Sequence, residues 1–202
     1  MRAAVAHPAH VPRMLARGRV HQMRAESDAI LVGIGTVLSD DPHLTCRLPG
    51  MMESSPVRVI LDARLRMPLA TSLVGTARET PTWVFATPKA SPVAEDILKA
   101  KGVEVFRVDG KDGRLDLNAV LKALAERGIT RLMVEGGPTV AAAFIKADLV
   151  DAAALFHSPN PLGQGIAVLE GLPLTALTES PKLKSVASES IGVDTLETFE
   201  RL

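Results

Sequence analysis

The chain predicts an α/β domain on a mixed, mostly parallel sheet flanked by helices, and three observations carry that expectation. Short apolar runs suited to buried strands alternate with amphipathic helical stretches through the middle of the chain, which asks for parallel crossovers. The last two strand candidates follow one another without a strong helix between them, which asks for antiparallel pairing near the C-terminus. A length of 202 residues with 47% hydrophobic content suits a single domain over residues 1–202.

In order, Met14, Leu15, Val20 and Met23 are interleaved with Arg13, Arg17, Arg19 and Arg24, an amphipathic helix over residues 12–25 despite Gly18. Ala29–Gly33 is an apolar strand, and residues 34–42, with glycine, hydroxyls, paired aspartates and proline, read as an ordered loop. Gly33 and Gly35 open no dinucleotide fingerprint, because Leu38 stands at the third glycine position; a Rossmann domain is excluded. Residues 57–62 and 82–86 are further strands, with Trp83 read as core packing. Ser91 and Pro92 supply a hydroxyl cap and a first-turn proline for a helix that closes at Gly102, before a strand at 103–108. Asp116 caps a helix carrying Leu117, Val120, Leu121 and Leu124, Gly128 stops it, and a strand begins near Arg131. A helix from Thr139 to about Ala147, a strand at 152–156, a loop over 158–165 and strands at 183–187 and 195–199 complete the chain.

The stretch Leu132-Met-Val-Glu-Gly-Gly-Pro-Thr139 reads as strand, tight turn and helix. Gly136 and Gly137 permit backbone angles and close approaches that a β-carbon blocks, and Pro138 fits a first helical position. Such a helix start offers bare amides and the positive end of the helix dipole to a phosphate or carboxylate. An ordinary glycine-rich connection without a ligand explains the same residues. Glu135, at the carboxyl end of its strand, is either a site acid or the partner of a basic side chain at the sheet edge.

Composition narrows the partners. The 23 basic and 23 acidic residues balance, so no basic field holds a nucleic acid, and an aromatic content of 3% removes stacking platforms. Cys46 stands alone, which excludes a disulfide framework and fits a reducing, cytoplasmic compartment. His7 and His10 have no carboxylate or cysteine near them in sequence, and no metal site is read. No stretch approaches the ~20 apolar residues that span a bilayer, and no membrane association is expected.

Residues 27–42, Ser-Asp-Ala-Ile-Leu-Val-Gly-Ile-Gly-Thr-Val-Leu-Ser-Asp-Asp-Pro, and 133–140, Met-Val-Glu-Gly-Gly-Pro-Thr-Val, together resemble the riboflavin-biosynthesis reductase domain. The resemblance continues, in the family's order, through residues 56–62, 148–151, Leu155-Phe156 and 161–163, and spans about Arg17 to the C-terminus. It implies a dihydrofolate-reductase-like fold and NADPH-dependent reduction of 5-amino-6-(5-phosphoribosylamino)uracil to its ribitylamino product. The family's cofactor positions fall on Thr36, Asp40, Gly137, Pro138, Thr139, Val140, Ala141, Ala142 and Ala143, and its substrate positions on Arg24, Leu44, Arg47 and Glu135. Guanidinium groups at Arg24 and Arg47 suit the ribose phosphate, although each also fits a solvated surface. Asp40 and Thr36 suit a turn that fixes its own loop equally well, and Asp41 is read as structural. No catalytic acid is named, because the nicotinamide carries the hydride and the protein must mainly align carbons and exclude water.

Two departures stand out. Ala63 occupies a position that often carries serine in the family, and residues 1–13 contain neither the Ser-Leu-Asp-Gly nor the Ser-x-Trp segment with which members begin. The family's first strand is therefore expected to be absent, and a homodimer is expected to cover the gap. An impaired or non-catalytic dinucleotide-binding subunit is the alternative function. The zinc-deaminase motifs His-x-Glu and Pro-Cys-x-x-Cys do not occur, so the likeness is to the reductase part alone.

Overall fold

Short apolar runs become parallel strands here because helices cover both faces of the sheet they enter. The computed structural model describes residues 2–7, 14–159 and 168–202. The elements are β1 (Arg2–His7), α1 (Met14–Ala25), β2 (Ala29–Gly33), α2 (Ile34–Asp40), β3 (Val57–Leu61), α3 (Ser72–Gly75), β4 (Thr82–Ala86), α4 (Pro92–Ala100) and β5 (Glu104–Arg107). A small hairpin of β6 (Gly110–Lys111) and β7 (Arg114–Leu115) leads into α5 (Leu117–Ala125), β8 (Arg131–Val134), α6 (Pro138–Lys146) and β9 (Ala152–His157). The chain closes with α7 (Thr175–Thr178), β10 (Leu183–Ile191) and β11 (Asp194–Arg201).

Nine strands share one sheet in the order β10-β11-β9-β1-β8-β2-β3-β4-β5. Neighbours from β9 to β5 run parallel, and β11 and β10 are added antiparallel. The mixed sheet predicted by the alternation is the one that forms. Successive residues of β2 divide its burial between the faces: Leu31 joins Val120, Leu124, Ala141 and Phe144 of α5 and α6, whereas Ile30 and Val32 join Val37, Leu73 and Leu98 of α2, α3 and α4. Ala16 and Val20 of α1 cover Met133, Ala154 and Phe156 farther along that second face. Trp83 is half-buried, edge-on to Phe106 at 5.4 Å between ring centres.

Four readings need correction. The first strand is present: residues 2–7 form β1 at the centre of the sheet, although the family's motifs do not follow it. A run of alanines has little strand propensity of its own, and the ladders offered by β8 and β9 decide the matter. The gap that argued for a partner subunit therefore does not exist. Residues 34–40 form a helix instead of an ordered loop, because Ile34 and Val37, three apart, both bury against the sheet. The β6–β7 hairpin and the single turns α3 and α7 carried no sequence signal strong enough to be read. Gly136 and Gly137 do not adopt positive φ, and their use is steric. Residues 12 and 13 of the first helix reading, and 160–165 of the loop with its Pro161-Leu-Gly163 motif, lie outside the described residues.

Two polar groups fasten the sheet. Asp28 Oδ2 accepts from the Thr130 amide at 2.7 Å, the Thr130 hydroxyl at 2.8 Å and the Arg131 amide at 2.8 Å, pinning the start of β8 beside β2. Arg58 of β3 is fully buried and donates to Thr76 Oγ1 and to the carbonyls of Thr76 and Thr80. Burial lowers the Arg58 pKa to about 10, so it remains a cation at neutral pH.

The Asp28 clamp predicts a pH-dependent contribution. The Arg131 amide, followed by the Thr130 hydroxyl and amide, holds the carboxyl below its ordinary value, so its stabilisation is present above pH 4 and is lost as pH falls through the folded-state value. Asp28→Ala is expected to lower stability by ~1 kcal/mol at pH 7, the low end because the carboxylate faces solvent, with the difference from the parent narrowing in acid. Urea unfolding midpoints of both proteins at pH 7 and pH 3.5 measure it.

Candidate functional site

The parallel strands end together at one edge of the sheet, and the segments leaving β8, β2 and β3 enclose a cleft of about 1560 Å³. Glu135 to Val140 form one wall, residues 33–40 the floor, and residues 61–66 with 113–118 the opposite wall.

The start of α6 sits where it does because of three small residues. A β-carbon on Gly136 would lie 2.6 Å from Val140 Cβ, one on Gly33 2.8 Å from Val140 Cγ2, and one on Gly137 3.3 Å from Thr36 Oγ1. Val140 thus rests in a notch made by glycines of two neighbouring segments, and Gly137 keeps the space beside Thr36 open. Pro138 has no amide to offer, and the Gly137 carbonyl accepts from Val140 and Ala141. The amides of Gly137 and Thr139 have no acceptor among the described residues, and both residues line the cleft. A side chain added at Gly137 would enter the space beside Thr36, and a helix start with open amides is of the kind that suits an anion such as a dinucleotide's phosphate.

At the Glu135 end, Arg24 reaches from α1 and makes a two-pronged ion pair: Nε donates to Oε1 at 2.7 Å and Nη2 to Oε2 at 2.6 Å, while Nη1 donates to the Thr45 carbonyl at 3.0 Å. Both side chains are nearly enclosed, 12% and 7% exposed. One turn back on α1, His21 Nδ1 accepts from the Arg47 amide at 3.3 Å. Burial first, then Arg24 and Arg47, lowers the His21 pKa, so the ring is a neutral acceptor at pH 7. Leu44 is buried in the cluster of Ile30, Val32 and Val37 and takes a left-handed conformation, φ 55°. Asp41, also left-handed, accepts from the Ser72 amide and hydroxyl and tethers α2 to α3, the structural part read for it.

Of the residues named from sequence, Thr36, Asp40, Gly137, Pro138, Thr139, Val140, Ala143, Arg24, Leu44 and Glu135 line this one cleft. Three do not. Ala141 and Ala142 are buried in the core, because α6 turns those positions onto the sheet. Arg47 is exposed outside the cleft lining, linked to it through His21. Glu135 takes the basic partner that the sequence left open, and that partner is Arg24. Sequence reading missed His21, although it lies one turn from Arg24 on the same helix face. It also missed Glu170, which accepts from the Thr139 hydroxyl, and the arginines 64, 66 and 114 of the opposite wall. Those last contacts join segments too distant in sequence to signal one another.

Comparison with known proteins shows the family and the fold. The model of the RibD C-terminal domain matches residues 2–196. The riboflavin biosynthesis protein RibD of Aquifex aeolicus is 39% identical over 181 residues, covering 90% of this chain and 48% of that protein. The 2,5-diamino-6-ribosylamino-4(3H)-pyrimidinone 5′-phosphate reductase of Archaeoglobus fulgidus is 38% identical over 152 residues, covering 71% of this chain and 67% of that protein. The crystal structure of the deaminase/5-amino-6-(5-phosphoribosylamino)uracil reductase from Thermotoga maritima superposes with a TM-score of 0.78 at 28% identity, over 100% of this chain and 56% of that one. The chain spans about half the length of the RibD relatives it matches.

The enclosed ion pair predicts an asymmetric mutational response. Arg24→Ala strands the Glu135 carboxylate and is expected to cost ~3 kcal/mol, whereas Arg24→Met with Glu135→Gln recovers most of that loss. A double-mutant cycle by urea denaturation reads both values.

Proposed function

The chain belongs to the RibD C-terminal domain family, and from that premise we propose that it is an NADPH-dependent oxidoreductase of riboflavin biosynthesis, reducing 5-amino-6-(5-phosphoribosylamino)uracil to the ribitylamino product. The observation that carries this reading is the joining, in one cleft, of an open helix start beside Gly137 and Thr36 with the Arg24–Glu135 pair. When bound, the dihydronicotinamide supplies the hydride that reduces the sugar C1. The residues of this chain bind and orient.

In this reading the amides of Gly137 and Thr139, with the Thr36 hydroxyl and Asp40, receive the cofactor, and Val140 and Ala143 pack against it. Thr139 acts through its backbone, since its hydroxyl is committed to Glu170. Ala141 and Ala142 contribute by holding α6 to the sheet. Glu135, locked in place by Arg24, offers its remaining lone pairs to the pyrimidine, and the unused Arg24 protons and Arg47 face the ribose phosphate. His21 fixes the loop that carries Leu44 and Arg47. The A. fulgidus relative's name describes a ribosylamino-pyrimidinone 5′-phosphate, the same class of phosphorylated substrate. We place the enzyme in the cytoplasm, consistent with a free, buried Cys46; no helix among the described residues is long and apolar enough to cross a membrane. We also propose a homodimer, now on different ground: β10 is the outermost strand and is exposed at seven of its nine positions.

Three outcomes test these assignments. Gly137→Val is expected to weaken NADPH binding about tenfold to a hundredfold while moving the unfolding midpoint little, because it fills the cradle and displaces charge-assisted hydrogen bonds. Paired fluorescence titration and thermal unfolding measure this, and unchanged affinity in a folded variant would remove the cradle. Arg47→Ala is expected to raise the KM for the phosphorylated pyrimidine with NADPH affinity unaltered. Sedimentation velocity is expected to report a dimer that charged substitutions at Val186 and Ser188 of β10 dissociate.

A further inference from the structure

The start of α6 differs from those of α4 and α5. α5 opens on Asp116, whose carboxylate accepts from the Asn118 amide, and α4 on Ser91, whose hydroxyl accepts from the Ala94 amide. α6 opens on Gly137, which has no side chain to cap with, and its first turn carries no acidic residue. The carboxylate arrives from elsewhere: Glu170 accepts from the Thr139 hydroxyl, and its own amide donates to the Pro138 carbonyl at 3.2 Å. These two contacts fix Glu170 against the first turn from 31 positions away in sequence. Leu169 beside it is buried in the core with Ala141, Ala142 and Phe144, which anchors the segment, while Glu170 itself stays exposed. Among the described residues no cation pairs with Glu170; Lys146 Nζ reaches only its neighbour, 3.9 Å from where a β-carbon on Gly171 would lie. A carboxylate in this place has two opposite effects. Near the open amides of Gly137 and Thr139 it meets the positive end of the α6 dipole and stabilises the empty protein. The same charge repels a phosphate received by those amides, since like charges ~5–8 Å apart in a solvated setting oppose one another by about the thermal energy.

We propose that Glu170 sets cofactor affinity: an acid borrowed across the fold stabilises the empty start of α6 and weakens the hold on the dinucleotide phosphates, so that the oxidised cofactor leaves readily after each hydride transfer. This rests on the dinucleotide reading of the cleft. Glu170 touches Thr139 and acts on the cofactor only through its charge and through the hydroxyl it keeps from the phosphate.

The test compares the full chain with its Glu170→Gln and Glu170→Ala variants by titration with NADPH, NADP⁺ and inorganic pyrophosphate, and by thermal unfolding without ligand. Loss of the charge is expected to tighten all three ligands about threefold to tenfold at low salt while lowering the ligand-free unfolding midpoint by about 1–3 °C. The Ala variant, which also frees the Thr139 hydroxyl, should bind at least as tightly as the Gln variant. The gain should fade as salt rises, and stopped-flow displacement should show slower release of NADP⁺. Opposite signs are the signature, because a residue that merely held the segment in place would lower stability and affinity together when replaced. Unchanged or weaker binding in the folded variants, a gain that salt leaves intact, or a gain for the dinucleotides that pyrophosphate does not share would each overturn the proposal. A parent that binds neither dinucleotide overturns the cleft reading itself, which separates the two failures. The unfolding curves also show that each variant is folded.

Discussion

The position of Val140 against Gly33 and Gly136 is the constraint on which the site depends. With β-carbon distances of 2.6 and 2.8 Å, neither glycine accepts even alanine without moving α6 or the end of β2. Close seating of α6 has two consequences. It drives Ala141, Ala142 and Phe144 into the core, and it leaves the first amides of the helix directed at the space beside Thr36. The open helix start and the packed helix are therefore one feature, and the smallness of Gly33 at the end of β2 and Gly136 in the turn after β8 produces both.

Charge is distributed along the sheet edge in a way that packing alone does not require. One end is neutralised by the enclosed Arg24–Glu135 pair, with a neutral His21 beside it; the other is left cationic by Arg64 and Arg114. β3 supports this from inside. At its start Arg58 is buried among carbonyls of the 73–80 segment, and at its end burial raises the Asp62 carboxyl above its ordinary value despite amide hydrogen bonds. A cation surrounded by carbonyls and an acid surrounded by amides fix two loops without pairing to each other, and of the cleft arginines Arg66 comes to 3.9 Å from Asp62.

Some of this was legible from local chemistry. Ser91 and Asp116 cap their helices as the residue types require, each accepting an amide of its own first turn, and Gly128 ends its helix at φ 84°. The apolar runs of β2, β4 and β8 marked their strands because burial on both faces leaves a continuous hydrophobic signature. β1 and α2 were misread for the complementary reason. Alanines in β1 gain their ladder only from β8 and β9, residues far away in sequence, and α2 forms because the sheet buries Ile34 and Val37 against a weak local preference.

The sequence by itself determined the element types, the mixed sheet, the family likeness and most of the residues that line the cleft, because each rests on patterns that span a few neighbours or on a motif read whole. Only the tertiary structure decided that Glu135 is locked by Arg24, that Ala141 and Ala142 face the core and that Arg64 and Arg114 share a wall. Those outcomes follow from how strands order themselves and how far a helix can approach a sheet. Both are set by contacts between segments separated by 49 to 111 positions, for which no local periodicity carries a signal.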